Sequence, residues 1–370
     1  MKTQAAVLWD YGRDWEIEEL TLDDPKPGEV LVRLAASGLC HSDEHVRIGD
    51  LPMEALPAIG GHEGAGVVEA VGPGVRSVAE GDHVVLSFIP ACGRCHWCAI
   101  GRENLCEKGA GTQVGLQQDG TARHHVGGHD ARLMCQLGTF SPYTVVHEDS
   151  VVKIDDDIPL DKAALVGCGV TTGVGAAMYG AEVKGGDTVV VMGVGGVGAN
   201  AVQGARIAGA ARIIAIDPAP FNREMAGKFG ATHMYASAEE ALEPIKDMTR
   251  GEMANAALVT VDVTTGKVIG DAVSLVGKGG KVALTALSRW DDTEVQFPIF
   301  ELIAYEKQIR GCLFGHSSPR ADIPKMLSLY GDGKLMLDEL VTRTYTLEQI
   351  NEGYEDMRTH RNIRGLVLYE

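Results

Sequence analysis

Residues 188–217 read TVVVMGVGGVGANAVQGARIAGAARIIAID. The apolar run Thr188–Met192 passes straight into Gly193-Val194-Gly195-Gly196-Val197-Gly198, and a stretch of small residues then leads to a second apolar run that stops at Asp217. Strand, glycine turn, helix, strand and terminal acid together form the pattern that holds a dinucleotide. Gly193 suits a tight turn. Gly195, with Gly196 and Val197 beside it, lets the backbone approach a pyrophosphate at a helix N-terminus, and Gly198 lets helix and strand pack closely. Asp217 lies nineteen residues past Gly198. It can bond both ribose hydroxyls and would repel a 2′-phosphate, so NAD is expected over NADP. Arg223 stands close by and is the residue type that would favour that phosphate. A glycine-rich turn without a ligand is the competing reading, and the completeness of the surrounding pattern weighs against it.

The same rhythm continues outward. Strands are expected at 188–193, 212–217, 233–236, 256–263, 281–287 and 308–313, with helices near 196–209, 221–230, 238–248, 267–276 and 298–306. Apolar strands alternating with helices predict an α/β domain with a doubly wound parallel sheet of six strands, covered on both faces. The first 160 residues differ. EVLVRLAASG, GAGVVEAVGPGV and GDHVVLSF alternate apolar and polar positions between glycines and prolines. They predict a second domain of mostly antiparallel strands. The tail returns to neither pattern: ADIPKMLSLYGDGKL predicts a helix closed by Gly331 and Gly333, and IRGLVLYE a final strand.

The chain has 370 residues, 33 of them basic and 51 acidic, for a formal charge of −18. Such a surface repels phosphate backbones, so neither nucleic acid nor an anionic membrane is an expected partner. The first twenty residues place Asp10, Arg13 and Asp14 just after a short apolar run. No export signal and no membrane span are read, and a cytoplasmic protein is expected. Disulfides are rare in that compartment.

Four of the eight cysteines fall in one stretch, at Cys92, Cys95, Cys98 and Cys106. Thiols this close in sequence cannot easily form unstrained disulfides with one another, but they can fold round one ion. Four thiolates close a tetrahedral zinc site and leave no open position, as structural sites do. Cys40, His62 and Cys168 lie apart in sequence. Two thiolates and an imidazole would leave a fourth zinc position free, yet spacing alone does not choose between that trio and buried packing cysteines. Cys135 and Cys312 are read as packing residues. QDGTARHHVGGHD (118–130), despite its histidines, is expected to be an exposed glycine-rich loop.

GLCHSD, GGHEGAGVV, the four-cysteine stretch, LVGCGVTTG, GVGGVG and QINEGYEDM…NIRG occur here in the order and spacing of the zinc-dependent medium-chain alcohol dehydrogenases, and the resemblance runs nearly end to end. It implies a GroES-like catalytic domain over 1–169 and 312–370, with a structural zinc lobe at about 89–110, and a Rossmann domain over 170–311. It also implies two zinc ions per chain. Cys40, His62 and Cys168 would hold the catalytic ion, with Glu63 beside it, and Cys92, Cys95, Cys98 and Cys106 the structural one. Ser42 and His45 would relay the alcohol proton through the cofactor ribose. His41 and Arg364 would meet the pyrophosphate, Thr172 and Val197 the nicotinamide, and Asn222 the adenosine ribose. The substrate is expected to be a small alcohol or aldehyde, walled in part by residues 50–57, 86–91 and 115–120, and the oligomer a homodimer or homotetramer.

AVLWDYGRDWEIEEL, LGTFSPYTVVHEDSVVKID and YTLEQINEGYEDMRTHRNIRG are most similar to the actinobacterial nicotinoprotein (NDMA-dependent) subgroup. This narrower resemblance implies NAD that stays bound through turnover and is reoxidised in place by a second substrate or a mycofactocin-like redox partner. An NAD-exchanging alcohol or glutathione-linked formaldehyde dehydrogenase is the alternative within the family. A zinc-containing binding protein without catalysis is the alternative outside it.

Overall fold

The computed structural model describes residues 1–369. The chain separates into two compact units. One comprises Met1–Cys168, Ser318–Asp332 and Leu337–Glu370; the other comprises Gly169–Ser317 and Gly333–Met336.

The second unit is built on six parallel strands in the order His233–Tyr235, Arg212–Ile216, Thr188–Met192, Ala254–Val259, Val276–Leu284, Gln308–Gly311. All five residues of Thr188–Met192 are buried, which is why that strand reads as an unbroken apolar run. Val190, Ile214, Ala257, Val259 and Val282 pack together in one core cluster on this sheet. Chain order reverses at Thr188–Met192: both its neighbours follow it in the sequence, and the later strands run outward from it on either side. Ligands of such sheets bind beyond the carboxyl ends of the strands at this switch point. The short segment 333–336 joins this unit because Gln203 brackets Met336, accepting from its amide at 2.8 Å and donating to its carbonyl at 3.1 Å. Arg206 donates to the Lys334 carbonyl at 2.6 Å. A sequence pattern cannot register bonds from side chains to a loop backbone.

The first unit holds two sheets. One runs His129–Asp130, His124–Val126, Glu16–Leu22, Lys2–Leu8, Ala58–Ile59, Arg132–Leu133. The other runs Val151–Lys153, His83–Leu86, Gly64–Val71, Glu29–Gly38, Arg364–Leu368, Val341–Tyr345, with Tyr143–His147 also paired to Glu29–Gly38. Most pairings are antiparallel, as the alternation predicts, and Trp15, Phe140 and Tyr354 lie among the large buried side chains of the core.

Residues 118–130 correct the expectation of an exposed loop. His124–Val126 is a strand that pairs with Glu16–Leu22 and turns at Gly127–Gly128 into His129–Asp130. Arg123 and His124 are buried. The Arg123 guanidinium is neutralised by Glu29, at 2.6 and 2.8 Å, and by Asp119 at 2.7 Å. His124 Nε2 meets Thr144 Oγ1 at 3.1 Å. Residue types that read as surface are buried because each has a partner elsewhere in the sequence. No single helix among the described residues is long and apolar enough to cross a membrane.

Candidate active site

Strand Glu29–Gly38 ends two residues before Cys40, which caps helix His41–Ile48. The helix carries Asp43, whose Oδ1 accepts from the Gly61 amide at 2.7 Å and so ties down the turn before His62. Asp43 Oδ2 lies 3.0 Å from His62 Nδ1, close but off the line of a full hydrogen bond. A carboxylate on one ring nitrogen orients the imidazole and leaves Nε2 to serve as a ligand. Cys168 ends the first unit directly after the turn Ala164–Gly167.

These local choices bring ligand atoms of Cys40, His62, Glu63 and Cys168 within 4.8 Å of one another, and all four residues are buried. The hydrogen bond with Cys168 is the main reason the Cys40 pKa falls well below the ordinary thiol value, and His62 adds to it against burial. The Cys168 thiol is correspondingly pushed well up, by Cys40 and by burial. Burial opposes a charged His62, but Asp43 and Cys40 outweigh it and raise its pKa. Buried sulfur, nitrogen and carboxylate donors converging in one place suit a borderline-soft dication such as zinc. Glu63 is ion-paired with Arg364 Nη2. The Arg364 Nε is buried without a partner.

Ser42 Oγ is 3.7 Å from Cys40 Sγ. His45 follows at three residues, hence on the same helix face. It is buried, with Nδ1 3.6 Å from Asp50 Oδ2 and its ring 5.0 Å from that of His41. Phe88 stands edge-on to His62 at 5.8 Å, so the 86–91 segment adjoins this cluster. Two participants escaped the sequence reading. Asp43 was visible only as a charged residue three places after Cys40, within GLCHSD. Tyr354, whose hydroxyl donates to the Cys40 carbonyl at 3.4 Å, gave no signal beyond its type.

The four clustered cysteines converge separately. Cys92 and Cys98 sulfurs are 3.9 Å apart, and those of Cys95 and Cys106 are 4.0 Å apart. Sulfurs at the corners of a zinc tetrahedron stand about 3.8 Å apart, given bonds near 2.3 Å. All eight cysteines are free thiols. Backbone amides of Cys92 and Cys95 point at sulfurs, at 3.5 and 3.4 Å, as they do around thiolates.

In the second unit, Gly193 takes φ +84°, and a β-carbon there would strike the Val261 backbone. Gly195 faces open space. It caps helix Gly196–Ile207, whose N-terminus receives no side-chain cap, so its amides stay available to an anion. Asp217 Oδ2 accepts from the Val194 amide at 2.7 Å and from Asn222 Nδ2 at 3.1 Å. Asn222 Oδ1 is buried without a partner. An open glycine cradle beside an orphaned buried acceptor fits a dinucleotide that brings hydroxyls of its own. Thr172, on helix Gly169–Gly175, precedes Gly173, which packs on the Val197 carbonyl.

Two family descriptions match the chain: the alcohol dehydrogenase GroES-like domain over residues 26–156 and the zinc-binding dehydrogenase domain over 196–332. The NDMA-dependent alcohol dehydrogenase of Amycolatopsis methanolica is 51% identical over 369 residues, covering 100% of this chain and 99% of the relative. Alcohol dehydrogenase B of Mycobacterium tuberculosis is 47% identical over 370 residues, covering 100% and 99%. The crystal structure of benzyl alcohol dehydrogenase from Acinetobacter calcoaceticus superposes with a TM-score of 0.93 at 32% identity, covering 100% of both chains.

Proposed function

The chain belongs to the zinc-dependent medium-chain alcohol dehydrogenases, and from that premise we propose that it interconverts primary alcohols and aldehydes with NAD that stays bound and is recycled in place. The observation that carries the catalytic half is the convergence of Cys40, His62, Glu63 and Cys168 within 4.8 Å. The 51% identity to an NDMA-dependent enzyme supports the retained cofactor.

Zinc, when bound, supplies a Lewis acid at the substrate oxygen, and NAD supplies the hydride acceptor. Cys40, His62 and Cys168 hold the first of two ions per chain, and Cys92, Cys95, Cys98 and Cys106 hold the second. Asp43 fixes the His62 ring. Glu63, paired with Arg364, stands beside the ligands as a reserve donor. Ser42 Oγ accepts the proton of the substrate hydroxyl as it gives up its own, and the His45 imidazole carries that released proton outward. Asp217 and Asn222 hold the adenosine ribose, while Gly193–Gly198 cradle the pyrophosphate, with His41 and Arg364 as further contacts. Thr172 and Val197 flank the nicotinamide.

Reoxidation in place requires a second substrate or a mycofactocin-like redox partner. The chain pairs with itself, as a homodimer or homotetramer. Trp290, Ile299, Phe300 and Ile303, which precede the edge strand Gln308–Gly311 in sequence, are 67–75% exposed and support that reading.

Denaturing the purified protein and assaying the supernatant for nicotinamide nucleotide tests the proposal. One equivalent per chain is expected. An empty supernatant, with activity that requires added NAD, refutes retention.

A further inference from the structure

Asp217 is aimed by more than its strand. Its Oδ1 accepts from the Ala219 amide at 2.8 Å, and its Oδ2 from Val194 and Asn222 as described. The backbone that carries it is held in turn by Arg223. From helix Pro220–Phe229, Arg223 Nη1 reaches back to donate to the Asp217 carbonyl at 2.7 Å and to the Pro218 carbonyl at 2.8 Å. Those two peptides form the turn from the second parallel strand into the helix. Arg223 sits near the N-terminal end of that helix, whose first turn holds no acidic residue. A cation there opposes the helix dipole, so local preference does not explain it. Two backbone carbonyls, the negative ends of their peptide dipoles, do.

We infer that Arg223 is a clasp for the dinucleotide site: it fixes the turn that aims the Asp217 carboxylate, and so sets how long the adenosine ribose is held, rather than reading a 2′-phosphate. The inference rests on the reading that Asp217 and the glycine loop bind NAD. Arg223 is a positioning residue, because it acts through Asp217. Its Nη1 is committed to two backbone carbonyls. A contact to a 2′-phosphate would make it matter for NADP alone, whereas a clasp makes it matter for NAD.

The two roles predict opposite outcomes for release of NADH. The holoenzyme is loaded with NADH and chased with excess NAD, and the fall in NADH fluorescence gives the release rate. Arg223→Ala should release NADH roughly tenfold faster, the scale of one lost charge-assisted hydrogen bond. Arg223→Lys should recover most of the difference, because an ammonium can still donate to both carbonyls. Lys228→Ala, an exposed change on the same helix, should leave the rate unchanged, and NADPH binding should stay equally weak in all of them. An unchanged rate in Arg223→Ala, alongside rapid loss of NADH from Asp217→Ala, overturns the clasp alone. NADPH binding that Arg223→Ala abolishes while NADH release stays the same also overturns it. Wild-type retention in Asp217→Ala overturns the reading of the dinucleotide site, and the clasp with it.

Discussion

Lowering the pH from 7 to 5 should remove about 2 kcal/mol of stability from the first unit through one side chain, His124. The ring is fully buried. Its Nε2 lies 3.1 Å from Thr144 Oγ1, which spends its own proton on the Leu137 carbonyl at 2.6 Å. Thr144 must therefore accept, Nε2 must donate, and Nδ1 is the bare nitrogen. Nδ1 is buried with no partner, so a second proton would have nothing to bond. Burial first, then the charges of His125 and Arg123, pulls the pKa down from 6.5 to about 3. The folded value lies below the unfolded one. Stability is therefore whole above the unfolded value and is lost as pH falls toward 3. At pH 5 the unfolded ring is protonated and the folded ring is not, over a gap of about 1.5 units at 1.36 kcal/mol each, or about 2 kcal/mol. Urea unfolding of wild type and His124→Gln at both pH values isolates this effect. The variant starts less stable but should lose about 2 kcal/mol less between pH 7 and 5. Equal losses in both proteins, or a His124 ring resonance that titrates near 6.5, would contradict a ring held neutral by burial.

Asp43→Asn keeps the shape but not the charge behind His62. Zinc at that site should bind roughly 10- to 100-fold more weakly, read as the chelator concentration that halves activity; an unchanged concentration speaks against the role. Glu63→Gln leaves Arg364 charged, buried and without its carboxylate. Loss of about 3 kcal/mol in urea unfolding is expected, and a loss below about 1 kcal/mol contradicts the pairing. Cys106→Ser opens the four-thiolate site. Limited proteolysis should then cut within residues 92–106, and resistance equal to wild type refutes a metal-held lobe.

The parallel sheet was legible because its strands are buried on both faces: Thr188–Met192 advertises this with five apolar or β-branched residues in a row. The four-cysteine lobe was legible because its ligands are local. The convergence of Cys40, His62 and Cys168 was legible only through resemblance, since they meet by long-range folding that no spacing encodes. Asp43 was missed for the same kind of reason. Its importance lies in two bonds, to the Gly61 amide and toward His62, and a single sequence shows neither partner. The 118–130 segment misled most. Glycines and histidines read as an exposed loop, whereas Arg123 and His124 are buried by Glu29, Asp119 and Thr144, up to 94 residues away in the chain. Arg223 shows the converse: proximity to Asp217 suggested a phosphate ligand, and the geometry turns it to the backbone.

On the proposed function, chemistry belongs to the scattered Cys40, His62 and Cys168 and not to the clustered cysteines. Metal content and turnover of purified Cys168→Ser test it most directly. A folded protein that keeps the zinc of the Cys92–Cys106 lobe, loses the other ion and has no turnover is expected. A folded variant with undiminished zinc and wild-type turnover would contradict it.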